Sequence, residues 1–345
     1  MKIDRAVLVR LKTAATAALL IAAAASAAAL AADGPAVSPW WKAYLAGSKP
    51  VALPDSRTLN LYCEGAGAPT VIMKSGLGSG AWTWRKVQDE IAKSARVCVY
   101  DRSGYFGRSA PAPDARDAGA EEGDLSALLK AAALPGPYVL VGHSYGGYIV
   151  RLFAYRHPAS VAGLVLVDVS SEHQEPPIYR IYPQARAQDT LDHERLQVCA
   201  AAGRPDGVDC ILRQPPKDLP EDMVGWFRQG QDWAYAKTML AETDAMGAAS
   251  SDELVRERKS LGRTPVVLLE RDLKGKSWGA ASEDDQARLS EAWHGLHVQT
   301  LIGISSALEI SNVAGAGHRI QDDKPDAVIA AVIKVVERVR KSARR

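Results

Sequence analysis

The sequence predicts an α/β domain with a mainly parallel sheet, and three observations lead to this fold class. Short apolar runs alternate along the chain with segments of helical spacing. Some of these runs, above all residues 161–169, are almost uninterrupted, as expected for strands that are buried on both faces of a parallel sheet. Glycine-rich turns follow two of the predicted strands, at 75–80 and 142–147.

Each element has a local reason. Strands are predicted where β-branched and apolar residues cluster between turn residues: 50–62 (two short strands around Pro54-Asp55-Ser56), 70–74, 96–100, 138–141, 161–169, 265–269 and 308–313. Helices are predicted where apolar residues recur at helical spacing: 81–93, 115–133, 146–156, 283–295 and 324–341. The alternation stops over residues 170–263, which contain aromatic and charged residues but no clear strand. We therefore predict that this segment is a helical lid inserted after the sixth strand.

The charge distribution argues against a nucleic-acid-binding protein. The chain has 345 residues and a formal charge of +2, but four of its 42 basic residues and one of its 40 acidic residues lie in the first 31 positions. The remainder therefore carries a charge of −1 and has no basic excess with which to neutralise phosphates.

The pattern of residues 1–31 predicts a secretory signal peptide. They begin with basic side chains, continue as an uncharged alanine-rich run and end at an A-x-A site. An uncleaved N-terminal membrane anchor is the alternative, since about 20 uncharged residues are enough to span a bilayer. We therefore expect an exported protein, periplasmic or extracellular, whose membrane contact is limited to this segment if it is not cleaved.

The most informative motif is Gly142-His143-Ser144-Tyr145-Gly146, a G-x-S-x-G directly after a strand and directly before a helix. Such a sharp turn forces strained backbone angles on the serine, while the flanking glycines let neighbouring chain approach. The serine oxygen then lies at the positive end of a helix. Ser144 is therefore the predicted nucleophile.

With this motif in place, the chain resembles the α/β-hydrolase superfamily, in its lidded group. The resemblance covers roughly residues 50–170 and 264–340. It includes the loop 101–109, a sixth strand that ends in Asp168, and Gly315-Ala316-Gly317-His318. It implies an eight-stranded, mainly parallel sheet flanked by helices, with 32–169 and 264–345 as the core and 170–263 as the lid.

A serine hydroxyl needs a neighbouring base, usually an imidazole. Of the seven histidines, His318 is the predicted base because it follows the last strand and precedes the last helix. The acid that orients this base is left open. Asp168, at the end of the sixth strand, is favoured over Asp272, after the seventh, and Glu270 ranks third. Arg271 offers Asp272 a surface ion pair instead.

The resemblance also implies an oxyanion hole and a pocket. The backbone N–H groups of Leu77 and Tyr145 are the expected oxyanion donors. Gly76, His143 and His173 are expected to line the substrate pocket. No cofactor or metal is expected.

Among the cysteines, Cys199 and Cys210 enclose a short Gly- and Pro-containing segment and predict a disulfide-stapled loop. Cys63 and Cys98 fall on strands that the implied fold makes neighbours. A second disulfide there competes with a role as small buried side chains. No C-x-x-C pair is present, which argues against a zinc site. His294 and His297 lie on a polar helix end and are expected to face solvent.

We predict an exported serine hydrolase that cleaves a carboxylic ester or lactone of a small molecule through an acyl-serine. Alternatives within the fold are an aminopeptidase or another amide or carbon–carbon bond hydrolase. An aminopeptidase needs an acidic pocket, for which the lid offers Glu221, Asp222, Glu242 and Asp244. A receptor that binds a small ligand without turnover is the alternative of another class. The sequence does not indicate an oligomeric state.

Overall fold

The computed structural model describes residues 38–111, 116–201, 210–275, 278 and 281–344; the predicted signal peptide lies outside them. Its centre is an eight-stranded sheet of order β1-β2-β4-β3-β5-β6-β7-β8. Strand β2 runs antiparallel to β1 and β4, and every other pair is parallel. The strands are β1 Lys49–Ala52, β2 Thr58–Glu64, β3 Thr70–Lys74, β4 Val97–Tyr100, β5 Tyr138–His143, β6 Val161–Val167, β7 Val266–Glu270 and β8 Leu308–Asn312.

Helices cover both faces of this sheet. They are α1 Trp40–Gly47, α2 Gln88–Ala92, α3 Ala118–Ala131, α4 Gly146–Arg156, α5 Glu175–Ile181, α6 Pro183–Ala200, α7 Val224–Gln229, α8 Trp233–Met246, α9 Ala249–Glu257, α10 Glu283–Leu301, α11 Ile320–Asp323 and α12 Pro325–Ala343. Helices α1, α2 and α12 share one apolar core with the sheet, while α3, α4 and α9 share the other. None of the helices within the described residues has the length and apolarity needed to cross a bilayer.

Several helices begin at a side-chain cap that the sequence supplies. Asp117 accepts a hydrogen bond from the Ala120 N–H at the start of α3 (2.8 Å), and Asp232 does the same at the start of α8. Ser282 caps α10 in the same way. Each cap satisfies a backbone N–H that has no partner inside the helix. The local sequence therefore determines where these three helices begin.

The segment predicted as one helix over 81–93 is instead a 3₁₀ turn, Ala81–Trp84, followed by the short helix α2. The turn buries Trp82, Thr83 and Trp84 in succession. The Ala81 N–H donates to the Asp101 carboxylate (2.8 Å). Burial of consecutive side chains and a long-range anchor outweigh the local helical spacing here.

The described residues between β6 and β7 are helical, as the lid prediction requires, but they do not all lie in one place. Helix α9 packs against α3 and α4 and so extends the flank of the sheet. Helix α8 instead approaches the loop after β4, where a Cβ on Gly104 would lie 2.5 Å from the Thr238 hydroxyl oxygen. We refer to residues 170–263 as the helical insertion.

Both cysteine pairs form disulfide bonds. Cys199, in the last turn of α6, is joined to Cys210. Cys63 and Cys98 lie opposite each other in the register of β2 and β4 and are joined as well. Two disulfides indicate that the chain folds in an oxidising compartment.

Gly163 of β6 packs tightly against α12, and this contact gives a stability prediction. A Cβ there would lie 2.3 Å from Val335 Cγ1, which is fully buried. We expect Gly163→Ala to lower the free energy of unfolding by about 2 kcal/mol, because the buried valine has no room to move. The urea midpoint measures the change.

Gly295→Ala is the matched control. Gly295 lies at an exposed position of α10, and an added Cβ there meets nothing within 4 Å. It should leave stability unchanged or raise it by up to ~1 kcal/mol. Equal midpoints for the two variants would contradict the packing argument.

Candidate active site

Ser144 occupies the turn between β5 and α4 with a positive φ of 52°. The turn is tied to the end of β6, because the Ser144 N–H donates to the Val167 carbonyl (3.2 Å) and the Ser170 N–H donates to the Ser144 carbonyl (3.1 Å). A Cβ on Gly76 would lie 2.9 Å from Ser144 Cβ, so only glycine allows this approach. The strained left-handed turn is the geometry that a nucleophile elbow requires.

His318 and Asp168 form a hydrogen-bonded pair. Nδ1 of His318 donates to Oδ2 of Asp168 (2.6 Å). Asp168 is fully buried just after β6, and its N–H donates to the Leu269 carbonyl of β7 (2.7 Å). His318 follows β8 in the loop before α11 and is partly exposed. Nη2 of Arg271 also lies 3.0 Å from Nδ1, but only a protonated Nδ1 can form a hydrogen bond to the ionised carboxylate. The carboxylate therefore fixes the imidazole with Nδ1 protonated, which leaves Nε2 free to accept a proton.

Arg271 is the main counter-charge of Asp168. Its Nε (2.8 Å) and Nη2 (2.7 Å) both donate to Oδ2, and its backbone N–H donates to Oδ1 (3.1 Å). The guanidinium carbon lies 4.4 Å and 4.6 Å from the ring centroids of Trp278 and Trp293, and the Trp293 Nε1–H donates to Asp168 Oδ1 (3.0 Å). The buried carboxylate thus has a full set of donors.

These contacts set the pKa values of the pair. Burial alone would raise the pKa of the Asp168 carboxyl, but the Arg271 charge and the His318 hydrogen bond outweigh it and hold that pKa well below its usual range. Burial lowers the pKa of His318, and the Arg271 charge lowers it further, while the hydrogen bond that His318 donates to Asp168 opposes both effects. Near neutral pH the pair is therefore a carboxylate and a neutral imidazole.

The two other acids considered for this role have different partners. Asp272 is partly exposed, and its carboxylate accepts hydrogen bonds from the backbone N–H groups of Lys274 (2.9 Å) and Gly315 (2.7 Å). Through the second of these bonds it shapes the loop that carries His318. Glu270 is buried and accepts from Nδ1 of His297 (2.8 Å) and of His294 (2.9 Å).

Two expectations about neighbouring residues are wrong. Arg271 is not a surface partner of Asp272, since its side chain is buried against Asp168. His297 does not face solvent: it is fully buried between Glu270 and the Val169 carbonyl (2.7 Å). Both belong to a polar layer at the carboxyl ends of β6 and β7.

The two expected oxyanion donors lie on different turns, Leu77 in the loop after β3 and Tyr145 in the serine turn after β5. Within the described residues, the backbone N–H groups of Leu77 and Tyr145 are used in no hydrogen bond. The Arg102 guanidinium braces the loop by donating to the carbonyls of Ser75 (2.7 Å) and Gly76 (2.8 Å). Leu77 and Tyr145 thus flank Ser144 with free donors on a fixed backbone.

Arg102 is held by a buried network of charges. Its Nε lies 2.8 Å from Oε1 of Glu242 on α8, and Glu121 on α3 completes the group together with Lys74 (2.8 Å) and Arg116. Burial raises the pKa of Glu242 to about 7 against the opposing charge of Arg102, and it lowers the pKa of Lys74 to about 8. The helical insertion therefore contributes one acidic side chain, Glu242, to the network that supports the loop after β3.

The predicted pocket residues separate into two groups. His143 lines the cavity, and its Nε2 donates to the His318 carbonyl (2.9 Å). Burial lowers the pKa of His143 to about 3, so it stays neutral. Gly76 lines the same cavity. His173 does not: its ring is half exposed and lies 3.2 Å from the Asp252 carboxylate.

Ser144 and His318 open into one cavity of about 1380 Å³. Its walls come from the sheet core, including Trp82 and Trp293, and from the insertion, including Ile178 and Arg213. No hydrogen bond joins the Ser144 hydroxyl to His318 within the described part of the chain. Such contacts are often long in unliganded sites and shorten when substrate binds. The described residues contain no cluster suited to holding a metal ion.

Comparison with known proteins agrees with this architecture. The sequence profile of the alpha/beta hydrolase family matches residues 71–331. An AB hydrolase superfamily protein of Gibberella zeae is 34% identical over 289 residues, which cover 79% of this chain and 87% of that protein. An uncharacterized Bacillus subtilis protein is 26% identical over 278 residues, covering 79% and 85%.

Among solved structures, a thermophilic esterase from Thermogutta terrifontis has a TM-score of 0.54 at 20% identity and covers 85% of this chain and 98% of its own. At that identity the likeness concerns the fold alone. The family match extends over most of the described residues and includes both the serine turn and the histidine loop. The chain therefore belongs to the alpha/beta hydrolase family.

Proposed function

We propose that the protein is a serine hydrolase that cleaves a carboxylic ester or lactone through an acyl-serine intermediate. The observation that carries the proposal is the convergence of three groups. A serine in a strained turn shares one cavity with an imidazole, and a buried carboxylate fixes that imidazole in the tautomer of a general base.

In this mechanism His318 removes the proton from Ser144 as the hydroxyl attacks the acyl carbonyl. The Leu77 and Tyr145 N–H groups stabilise the oxyanion, and Asp168 stabilises the imidazolium that forms. The imidazolium then protonates the leaving alcohol. Water activated by His318 hydrolyses the acyl-serine and restores the enzyme.

The acids that the sequence offered for an aminopeptidase do not form an amine pocket. Among the described cavity walls, none of the four is present: Glu221, Asp222, Glu242 and Asp244. Glu242 is buried against Arg102, and Asp244 lies 2.6 Å from His193. Other acids, Glu175 and Asp189 among them, do line the cavity. The aminopeptidase alternative therefore loses the residues that the sequence assigned to it.

We also propose that the protein is exported. The N-terminal sequence supports this location, and so do the two disulfide bonds, which persist in oxidising compartments.

The central test is hydrolysis of 4-nitrophenyl esters from acetate to palmitate. We expect multiple turnover that falls by about 10³-fold or more in Ser144→Ala, because the acyl-enzyme no longer forms. Full activity in Ser144→Ala would contradict the proposal. A single turnover in the native protein would favour the receptor alternative.

The acid is tested in the same assay with a matched pair. Asp168→Asn should lower kcat by about 10³-fold or more, since an amide does not hold the imidazole in the required tautomer. Asp272→Asn should stay within about threefold of the native value, since its carboxylate contacts backbone N–H groups. The reverse ranking would assign the role to Asp272.

The dependence on pH tests the influence of Arg271. The base works only when His318 is neutral, so kcat/KM rises with pH through the pKa of His318. Because the Arg271 charge lowers that pKa, its removal should raise the pKa and move the acid limb upward. We expect a shift of about one pH unit in Arg271→Gln and a smaller one in Arg271→Lys, which keeps the charge.

Circular dichroism of both variants checks that they are folded, because loss of a buried ion-pair partner costs about 3–5 kcal/mol. An acid limb that stays in place, or moves to lower pH, in folded Arg271→Gln would contradict this account.

A further inference from the structure

The cavity beside Ser144 has an uneven distribution of charge. Its buried arginine side chains mostly face carboxylates. Arg85 pairs with Asp218 (2.7 Å) and Asp322 (2.7 Å), and Arg271 pairs with Asp168. The Arg271 pair is neutral and the Arg85 group, with two carboxylates, carries a net charge of −1, so neither attracts an anionic ligand.

Arg213 differs from these residues. It belongs to the insertion, three positions after Cys210, and its Nη2 donates to the Leu77 carbonyl (3.0 Å). Within the described residues no carboxylate lies at ion-pair distance from it, and its Nε is buried without a hydrogen-bond partner. The Tyr235 hydroxyl is a further polar neighbour of the guanidinium. A guanidinium has five N–H donors, so donors remain for a ligand. A partly buried cation without a carboxylate partner is available to pair with an anionic group in the cavity.

The Arg213 side chain is also fixed in place. Its backbone N–H donates to Gln231 Oε1 (2.6 Å), and Gln231 Nε2 donates back to the Arg213 carbonyl (2.8 Å). The guanidinium occupies space that only glycine leaves free, since a Cβ on Gly78 would lie 2.6 Å from Arg213 Nε. The cation is therefore held in position before any ligand binds, which reduces the entropic cost of binding.

Its position is close to the proposed reaction centre. Arg213 lines the cavity together with Ser144 and His318, and it is bonded to Leu77, one of the two proposed oxyanion donors. Its charge is among those that lower the pKa of His318. A substrate group bound by Arg213 therefore lies close to the scissile carbonyl.

Another part of the cavity wall carries acidic side chains. Glu175 and Asp189, from α5 and α6, line the cavity there, and burial raises the pKa of both carboxyls. An anionic group is disfavoured at that wall and favoured at Arg213. The polarity of the cavity thus orients a charged substrate.

We propose that Arg213 binds a free carboxylate on the acyl part of the substrate, so that the natural substrates are esters or lactones of acids with a second carboxyl group. A guanidinium matches a carboxylate with two parallel hydrogen bonds. The acyl side is assigned because Arg213 is bonded to the loop that receives the acyl carbonyl oxygen. This inference rests on the proposed ester hydrolysis and names its substrate class.

The test compares two esters of equal chain length, 4-nitrophenyl hydrogen glutarate and 4-nitrophenyl pentanoate, which differ in a terminal carboxylate against a methyl group. We expect the native protein to favour the glutarate ester by about tenfold or more in kcat/KM. Arg213→Gln should lose about 10- to 100-fold more on the glutarate ester than on the pentanoate ester, mainly through KM, because any effect on Leu77 or His318 acts on both esters alike. Arg213→Lys should retain part of the preference.

Lys42→Gln is the control for net charge, since Lys42 is an exposed cation on α1 that does not line the cavity. It should leave both substrates unchanged. A native enzyme without preference for the glutarate ester would overturn the inference. So would an equal loss on both esters in Arg213→Gln, because Arg213 would then serve only to brace Leu77.

These outcomes are separable from failure of the proposed function. If neither ester is hydrolysed, the hydrolase proposal fails, and calorimetry with glutarate then decides the inference alone. Binding to the native protein that is lost in Arg213→Gln supports the carboxylate site, and absence of binding to the native protein overturns it.

Discussion

The architecture of the site depends on one buried charge, the carboxylate of Asp168. A carboxylate in the protein interior is stable only when donors and an opposite charge surround it. Arg271 supplies the charge, while His318 and Trp293 supply further hydrogen bonds. These partners come from β7, α10 and the loop after β8, so the demands of one carboxylate bring these segments to the end of β6.

The same constraint explains the roles of the two residues that follow β7. With a buried carboxylate at the end of β6, Arg271 at the end of β7 supplies its counter-charge. Two indole rings enclose that guanidinium, which suits a weakly hydrated planar cation. Asp272 is left to shape the histidine loop through backbone N–H groups. The buried carboxylate thus lies at the end of β6, and its cationic partner lies at the end of β7.

A second buried network, around Arg102, couples the helical insertion to the core. Glu242 of α8 contacts the same guanidinium that holds the carbonyls of Ser75 and Gly76. Separation of α8 from the core would leave Arg102 and Glu121 with an incomplete set of charges, which is costly in a low-dielectric interior. The helical insertion therefore helps to fix the loop after β3, and it also lines part of the cavity.

The sequence predicted those features that local pattern determines. The α/β class follows from the alternation of strands and helices, and the Ser144 turn and the His318 loop follow from short motifs beside strand ends. The partners of buried charges were missed, because they are distant in the chain: Arg271 lies 103 positions from Asp168, and Arg102 lies 140 from Glu242. His297 was expected in solvent for the same reason, since its partner Glu270 lies on another element. Burial of such residues depends on tertiary packing, which spacing alone does not encode.

The most direct measurement of the central claim is the mass of the intact protein after reaction with a fluorophosphonate, followed by peptide mapping. The account predicts one covalent adduct, located on Ser144, and a rate of labelling that falls by about 10²-fold or more in His318→Gln, since the hydroxyl then has no base. An adduct on another residue, or labelling of Ser144 at the same rate without His318, would contradict it.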